Sequence, residues 1–485
     1  MNAPRPTFYW YDFESTGTDA RRDRPLQFAG LRTDMDLELV DEPTVLYCAP
    51  PPDLLPAPAA CAVTGIGPAT AAARGTCEAE FAAGVLEELG RPGTCSVGYN
   101  TVRFDDEMTR HLLWRNLYDP YAREWRDGNS RWDMIDVFRL ARALRPEGME
   151  WPEREPGVPS FRLEDLAAAN GVEHDAHDAL ADVEATLALA RRLRRAQPRL
   201  FDFALRNRDK RSAAALLRPD ATEPVLHVSD KYPAARGAIA PVAVIAPHPR
   251  IPNQVLVADL AADPAPLLEL DGDALAARLF APAAERDPGQ PPVPVKAVKL
   301  NAAPVVAPVS TLSADAARRL GIDLDAVRQT LARLRAADGL AARVRAAFEH
   351  PPAATGDADT ALYDGFVGDD DRDRMDAVHR RSPAELAGFD PGFADLRLRE
   401  LYFRYRARNW PDTLAADEIE RWRELRWQRL CRGEAGSPRA VAAFDAALEA
   451  DRAAGRIDAD LGRELADWRE RLLADLPACG SAPDA

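Results

Sequence analysis

The sequence predicts a three-part protein: an α/β domain over residues 1–197, a smaller β-rich domain over 200–350 and a helical domain over 358–477. An aromatic run without Gly or Pro, Thr7-Phe-Tyr-Trp-Tyr-Asp-Phe-Glu14, opens a region where strand and helix patterns alternate. From about residue 200 to 349, short β-like runs are separated by turn-rich breaks such as Pro247-His-Pro-Arg-Ile-Pro252. After Pro351-Pro-Ala-Ala-Thr-Gly-Asp-Ala-Asp359, which reads as a linker, helical periodicity dominates.

The first run reads as a strand that stops at the Ser15-Thr16-Gly17 turn. Side chains alternate faces along a strand, so Phe8, Trp10, Asp12 and Glu14 share one face while Tyr9, Tyr11 and Phe13 take the other. Two acids therefore leave the strand end side by side. Further strands are expected at 26–33, 43–48 and 95–99, and helices at 69–89, 104–117, 132–144 and 161–170. Asp105 falls near the start of the helix at 104–117, where a carboxylate also helps satisfy free N–H groups. Asp106 and Glu107 compete with it for an inward role, and only geometry separates them.

His177-Asp-Ala-Leu-Ala-Asp182 opens an amphipathic helix that ends in Arg191-Arg-Leu-Arg-Arg195. A five-residue step turns roughly 140° on a helix, so His177 and Asp182 cannot share a face. His177 must sit at or before the helix start, with Asp178 as cap and Asp182 pointing inward. In the second domain β-like runs fall at 224–228, 238–246, 254–260, 293–300 and 304–308; in the third, helices are expected at 415–430, 438–453 and 461–473. Residues 396–410 hold five arginines, one acid and four aromatics. That stretch suits either a phosphate- and base-binding surface or, as the favoured reading, a helix whose arginines bond to neighbouring domain surfaces. Residues 479–485 are expected to fray.

Composition narrows the function classes. A chain of 485 residues with 46% hydrophobic and 29% charged residues can bury proper cores and is not disordered. No stretch approaches the ~20 apolar residues of a membrane span, and the N-terminus runs straight into the first strand without room for a secretory signal. Six cysteines without a Cys-x-x-Cys pair fit a reducing cytoplasm, with no zinc site and no disulfide framework. A net charge of −16 argues against coating nucleic acid by bulk electrostatics, yet leaves room for a local basic track.

The chemistry lies in Asp12, Glu14, Asp105 and Asp182 together with His177. Taken singly, the first two are ordinary turn residues and Asp182 an ordinary helix acid. Two carboxylates about 4 Å apart repel by roughly 4 kcal/mol near a protein surface, so four together call for cations. Mg²⁺ takes oxygen ligands and keeps positions open for water and phosphate. Two such ions and a histidine base with an ordinary pKa near 6.5 are what phosphodiester hydrolysis requires.

Asp-x-Glu, a mid-chain Asp and His-x-x-x-x-Asp together resemble the DEDDh exonucleases. Gly98-Tyr-Asn-Thr-Val-Arg-Phe-Asp-Asp-Glu107, Asn129-Ser-Arg-Trp-Asp-Met-Ile-Asp-Val137, Leu144-Arg-Pro-Glu-Gly148, Pro159-Ser-Phe-Arg-Leu-Glu-Asp165 and Tyr405-Arg-Ala-Arg-Asn409 are similar to the bacterial exodeoxyribonuclease I branch of that family. The resemblance implies a ribonuclease-H-like exonuclease domain, an SH3-like β domain and a helical C-terminal domain. It further implies processive 3′-to-5′ digestion of single-stranded DNA to 5′-mononucleotides, two Mg²⁺ ions with Mn²⁺ as a substitute, and a role in DNA repair and recombination.

Carried over by motif, Asp12, Glu14, Asp105 and Asp182 hold metal and His177 is the base. Glu14 and Arg162 meet the substrate near the scissile end, and Arg110, Tyr121, Trp125 and Arg139 lie along the DNA track. The ordinary reading of these last four is packing aromatics and surface helix arginines. The resemblance also implies binding to the acidic tail of single-stranded-DNA-binding protein, for which Arg145 and Arg206 are a candidate basic pocket, and the chain is expected to be a cytoplasmic monomer. The two appended domains are expected to close over the strand.

Two alternatives differ in class. An oligoribonuclease-type RNA exonuclease would be a single compact domain, which the extra length disfavours. A non-catalytic single-strand-binding scaffold is disfavoured because all four acids and the histidine are present.

Overall fold

The computed structural model describes residues 5–174, 178–282, 285, 287, 289–349 and 355–479. It divides into two compact units, one of Met1–Ser130, Asp175–Glu184 and Ala354–Ala485, the other of Arg131–His174 and Ala185–Ala353. The sheet that carries the acids is built from β1 (Thr7–Ser15), β2 (Pro25–Thr33), β3 (Thr44–Tyr47), β4 (Thr94–Gly98) and β5 (Ser130–Asp133), in the order β3-β2-β1-β4-β5. β1 pairs antiparallel with β2, Asp12 opposite Ala29 and Glu14 opposite Gln27. On its other edge it runs parallel to β4, Trp10 opposite Val97. As alternation required, Tyr9, Tyr11 and Phe13 enter one core with Phe28, Phe81, Met108 and Leu112. Phe8 and Trp10, on the opposite face, are also completely buried. A strand buried on both faces has one register only, because a one-residue slip would exchange every side chain between faces.

Two boundaries differ from expectation. The helix expected over 69–89 is two helices, Pro68–Arg74 and Glu78–Leu89. Between them Gly75 donates back to Ala71, and Thr76 bridges to Cys48 beside β3. A Cβ at Gly75 would come within 2.7 Å of the Tyr47 backbone, so the break is a close backbone approach that only glycine allows. The helix expected from 132 begins at Met134, because Ser130–Asp133 is a strand and Asp133 caps the helix by accepting from the Ile135 N–H at 3.2 Å.

In the second unit β8 (Val225–Val228), β9 (Ile239–Pro247), β10 (Gln254–Asp259), β11 (Val295–Lys299) and β12 (Val306–Pro308) form an antiparallel sheet in the order β11-β10-β9-β8-β12. Its core of Val225, Val242, Val257, Val298 and Val306 is closed by Ala213 and Leu217. A short hairpin of β6 (Glu153–Glu155) and β7 (Val158–Pro159) lies earlier in the same unit.

The C-terminal part of the first unit is helical, with Asp369–His379, Leu396–Asn409, Ala416–Trp427, Val441–Ala453 and Ala459–Leu473 as its main elements. Residues 396–410 do not form a nucleic-acid surface. Tyr402, Phe403, Arg404, Tyr405, Arg406 and Arg408 are all buried, so the stretch is an internal helix. The supposed linker is likewise no free tether: Asp357 and Asp359 are buried and bind these same arginines. Asp359 lies 3.0 Å from Arg24, 2.6 Å from Arg408 and 3.3 Å from Arg429, and Asp53 lies 2.7 Å from Arg408 and 3.0 Å from Arg429. Burial alone would raise both carboxyls, but the surrounding guanidinium groups win and hold them below the usual carboxylate range.

The expectation of a chain without disulfides is also corrected, because Cys431 and Cys479 are joined. Cys479 packs against a core of Leu430, Trp468 and Leu472, which brings it beside Cys431 in a way that the 48-residue spacing does not reveal. Cys479, the first residue of the stretch expected to fray, is therefore anchored, and residues 480–485 lie outside the described residues. Among the described residues, no helix is long and apolar enough to cross a membrane.

Removing one charge from the arginine–aspartate cluster leaves its partners buried and uncompensated. Asp359→Asn is expected to lower stability by about 3 kcal/mol or more in urea unfolding. A loss below about 0.5 kcal/mol, the range of ordinary surface substitutions, would show the cluster to be dispensable.

Candidate active site

One carboxylate oxygen from each of Asp12, Glu14 and Asp182 lies within 4.8 Å of the others. β1 supplies the first two from alternate positions at its C-terminal end. Asp182 comes from the first turn of the helix Ala179–Ala196, whose start is fixed by Asp178 accepting from the Leu180 and Ala181 N–H groups at 3.1 and 3.0 Å. The expected cap and the inward-pointing acid are thus both present. Ligand oxygens on one Mg²⁺ lie about 3 Å apart when adjacent and about 4.2 Å when opposite, so the three acids fit a hard divalent cation after slight tightening.

The competition among Asp105, Asp106 and Glu107 is settled by their partners. Asp105 begins the helix Asp105–Arg115, and its carboxylate accepts from the Phe13 N–H at 3.2 Å, which ties it to the strand between Asp12 and Glu14. Asp106 accepts from the Tyr11 hydroxyl at 3.0 Å and from Arg123 at 2.6 Å, while Glu107 binds Arg110 and Tyr363. Only Asp105 faces the acid group. Its carboxylate oxygens lie outside the three-oxygen cluster but close enough to perturb Asp12. The sequence reading missed Asp106 and Arg123 as organisers. The adjacent Asp-Asp pair was the available signal, since both cannot face one site.

Electrostatics match the geometry. Burial, followed by the charges of Asp105 and Asp182, holds the Asp12 carboxyl well above the usual range. Burial, then Asp12 and Asp182, pushes Glu14 up to about 9. Without cations Glu14 keeps its proton at neutral pH.

His177 lies outside the described residues. Trp125 is 63% exposed and follows a short turn, Ala122–Glu124, organised by Asp119 accepting from the Tyr121 and Ala122 N–H groups. Tyr121 is half-buried, with the Arg110 guanidinium 5.5 Å from its ring centroid. Arg110, expected at a helix surface, is buried and bound by Glu124 at 2.8 Å and Glu107 at 2.7 Å. In the second unit Arg139 is buried against Asp136 at 2.6 Å, Arg162 is exposed beside Glu164, and Arg145 and Arg206 are exposed.

The mixed sheet that gathers carboxylates at the end of its central strand lies in an exonuclease domain: a sequence model described as "Exonuclease" matches residues 9–190. Models described as "Exonuclease I SH3-like domain" and "Exonuclease I C-terminal domain" match residues 208–350 and 356–472. The exodeoxyribonuclease I of Escherichia coli K12 is 46% identical over 426 residues, covering 87% of this chain and 89% of that one. That of Haemophilus influenzae is 43% identical, covering 87% and 90%.

Solved structures agree. Exonuclease I from Methylocaldum szegediense superposes with a TM-score of 0.92 at 49% identity over 96% of this chain and 100% of that one. A zinc-bound E. coli exonuclease I complex with single-stranded DNA gives 0.91 at 42% over 97% and 100%, and an SSB/exonuclease I structure gives 0.88 at 41% over 97% and 100%. The chain belongs to the exodeoxyribonuclease I family.

A carboxyl raised in the folded state binds a proton that the unfolded chain has already released. For Glu14, stability of the metal-free protein therefore falls as pH rises from about 4.5 towards about 9. A cation that displaces this proton gains as pH rises. The rise in melting temperature on adding Mg²⁺ is expected to be larger at pH 8 than at pH 6, and Glu14→Gln to flatten that difference. Equal Mg²⁺ shifts at both pH values would refute this.

Proposed function

We propose that this chain removes nucleotides from the 3′ end of single-stranded DNA by metal-dependent hydrolysis. The convergence of Asp12, Glu14 and Asp182 in an exonuclease-family domain carries the reading. The relatives are named exodeoxyribonuclease I, which favours DNA over RNA as substrate. Divalent metal use is supported by the acid cluster and by the zinc ion in the E. coli complex; we assign two Mg²⁺ ions, with Mn²⁺ as substitute.

Asp12, Glu14 and Asp182 would hold the cations, with Asp105 completing the set. Cations held there would supply Lewis-acid polarisation of the scissile phosphate and a more acidic water. The chain's own part is to keep the oxygens together against their mutual repulsion. His177 takes the proton from the attacking water. Glu14 and Arg162 orient the terminal nucleotide, and Trp125, being exposed, is suited to stack on a base, with Tyr121 beside it. Arg110 and Arg139 meet phosphates from positions already paired with acids, so each contact exchanges one anion for another.

SSB, found with exonuclease I in a solved structure, is the expected protein partner, with Arg145 and Arg206 as its pocket. The setting we assign is a cytoplasmic monomer acting in DNA repair and recombination, with domain bounds at 1–197, 200–350 and 358–477.

Single-stranded DNA labelled at either end, duplex DNA and RNA, each with Mg²⁺ or EDTA, test the reading. Asp12→Ala is expected to be nearly inactive. His177→Ala should be strongly impaired while still binding metal, and rapid loss of RNA or duplex with slow loss of single-stranded DNA would overturn the assignment. Under excess unlabelled trap DNA, long products of continued digestion are expected, and purely distributive cleavage would remove processivity.

A further inference from the structure

The β1–β2 ladder is irregular just past Glu14: the register shifts between Glu14 and Ser15, and Ser15 pairs with Pro25 as the last rung. Beyond it the turn is held through Thr16, which is fully buried. The Thr16 N–H donates to the Arg24 carbonyl at 2.8 Å, its carbonyl accepts from the Ala57 N–H at 2.7 Å, and its hydroxyl donates to Asp23 Oδ1 at 3.1 Å. Asp23 also accepts from the Asp19 N–H at 3.0 Å and is itself 1% exposed. Its charge partner comes from 416 residues away: Arg439 Nη2 lies 2.8 Å from Asp23 Oδ1, and Nη1 donates to the Leu55 carbonyl. Gly17 is packed so tightly here that a Cβ would come within 2.6 Å of the Arg439 guanidinium.

From this geometry we infer that Arg439, in the loop before Val441–Ala453, is a positioning residue for Glu14. By neutralising Asp23 and bridging it to Leu55, it sets the Ser15–Gly17 turn and so the direction in which the strand presents its second acid. The inference rests on Glu14 being a metal ligand. Arg439 acts through the turn, one step further out than a partner bonded directly to a ligand, whose substitution typically changes metal affinity or activity by about 10- to 100-fold, so the lower end of that range is expected.

The test uses the full chain as wild type, Arg439→Ala, Arg439→Lys, Asp23→Asn, Glu14→Gln and the control Arg463→Ala, which breaks an exposed pair with Asp460 on the helix Ala459–Leu473. The readouts are kcat and KM on a single-stranded oligonucleotide, Mn²⁺ affinity by calorimetry, and melting temperature. Arg439→Ala is expected to lose about tenfold in kcat with KM changed less than about twofold, and to bind Mn²⁺ correspondingly more weakly. Arg439→Lys should recover most of the loss, since an ammonium reaches Asp23, and Arg463→Ala should match wild type.

Arg439→Ala with wild-type kcat and Mn²⁺ affinity would overturn the inference, as would a loss that tracks only the unfolded fraction. If Arg439→Ala does not fold, Asp23→Asn, nearly the same shape, decides: full activity overturns the inference, and a loss confined to kcat and Mn²⁺ affinity supports it. Glu14→Gln separates the two levels. If it is active, the metal-ligand reading falls and takes this with it; if it is inactive while Arg439→Ala is unimpaired, only the positioning role falls.

Discussion

Everything in the catalytic unit depends on keeping like charges close. When ionised, three carboxylates with oxygens within 4.8 Å of one another repel by roughly 4 kcal/mol per pair at protein-surface permittivity, and burial adds to the difficulty of ionising them. A loose scaffold would relax that strain by moving the acids apart. Here the acids stand on a strand buried on both faces, with Asp105 tied to the Phe13 N–H and the Asp182 helix capped by Asp178. Rigidity is therefore a requirement of the chemistry. The raised Asp12 and Glu14 carboxyls are its electrostatic signature.

A second set of buried charges works in the opposite sense. Around Asp53 and Asp359 the arginines surround the acids, so attraction prevails and the carboxyls stay ionised. The same residue types give a cation-seeking cluster with raised carboxyls in one place and a self-neutralised one in another. The difference is made by guanidinium groups standing within about 3 Å, as Arg408 and Arg429 do at Asp53.

Legibility followed range. Strand β1, its alternation and the Asp178 cap could be read because each depends on spacing within a few residues, whereas the grouping of Asp12 and Glu14 with the distant Asp182 came from the resemblance of the motifs to a family. The split at Gly75 escaped because it depends on the approach of the Tyr47 backbone, which no local pattern encodes. The arginine-rich stretch 396–410 was open to two readings because composition does not reveal burial. Its partners, Asp53 and Asp359, lie 355 and 49 residues from Arg408. The Cys431–Cys479 bridge escaped for the same reason, since chain spacing says nothing about which helices pack.

The anchoring of Asp357 and Asp359 bears on modularity. A segment rich in Pro, Ala and Gly invites dissection of the gene at that point, yet it delivers two anions into the interior on which Arg24, Arg404, Arg408 and Arg429 depend. A fragment ending before it would keep every acid of the nuclease sheet while stranding Arg24 without its aspartate. The nuclease portion is thus no transplantable cassette: its interior is completed by sequence translated more than 300 residues later.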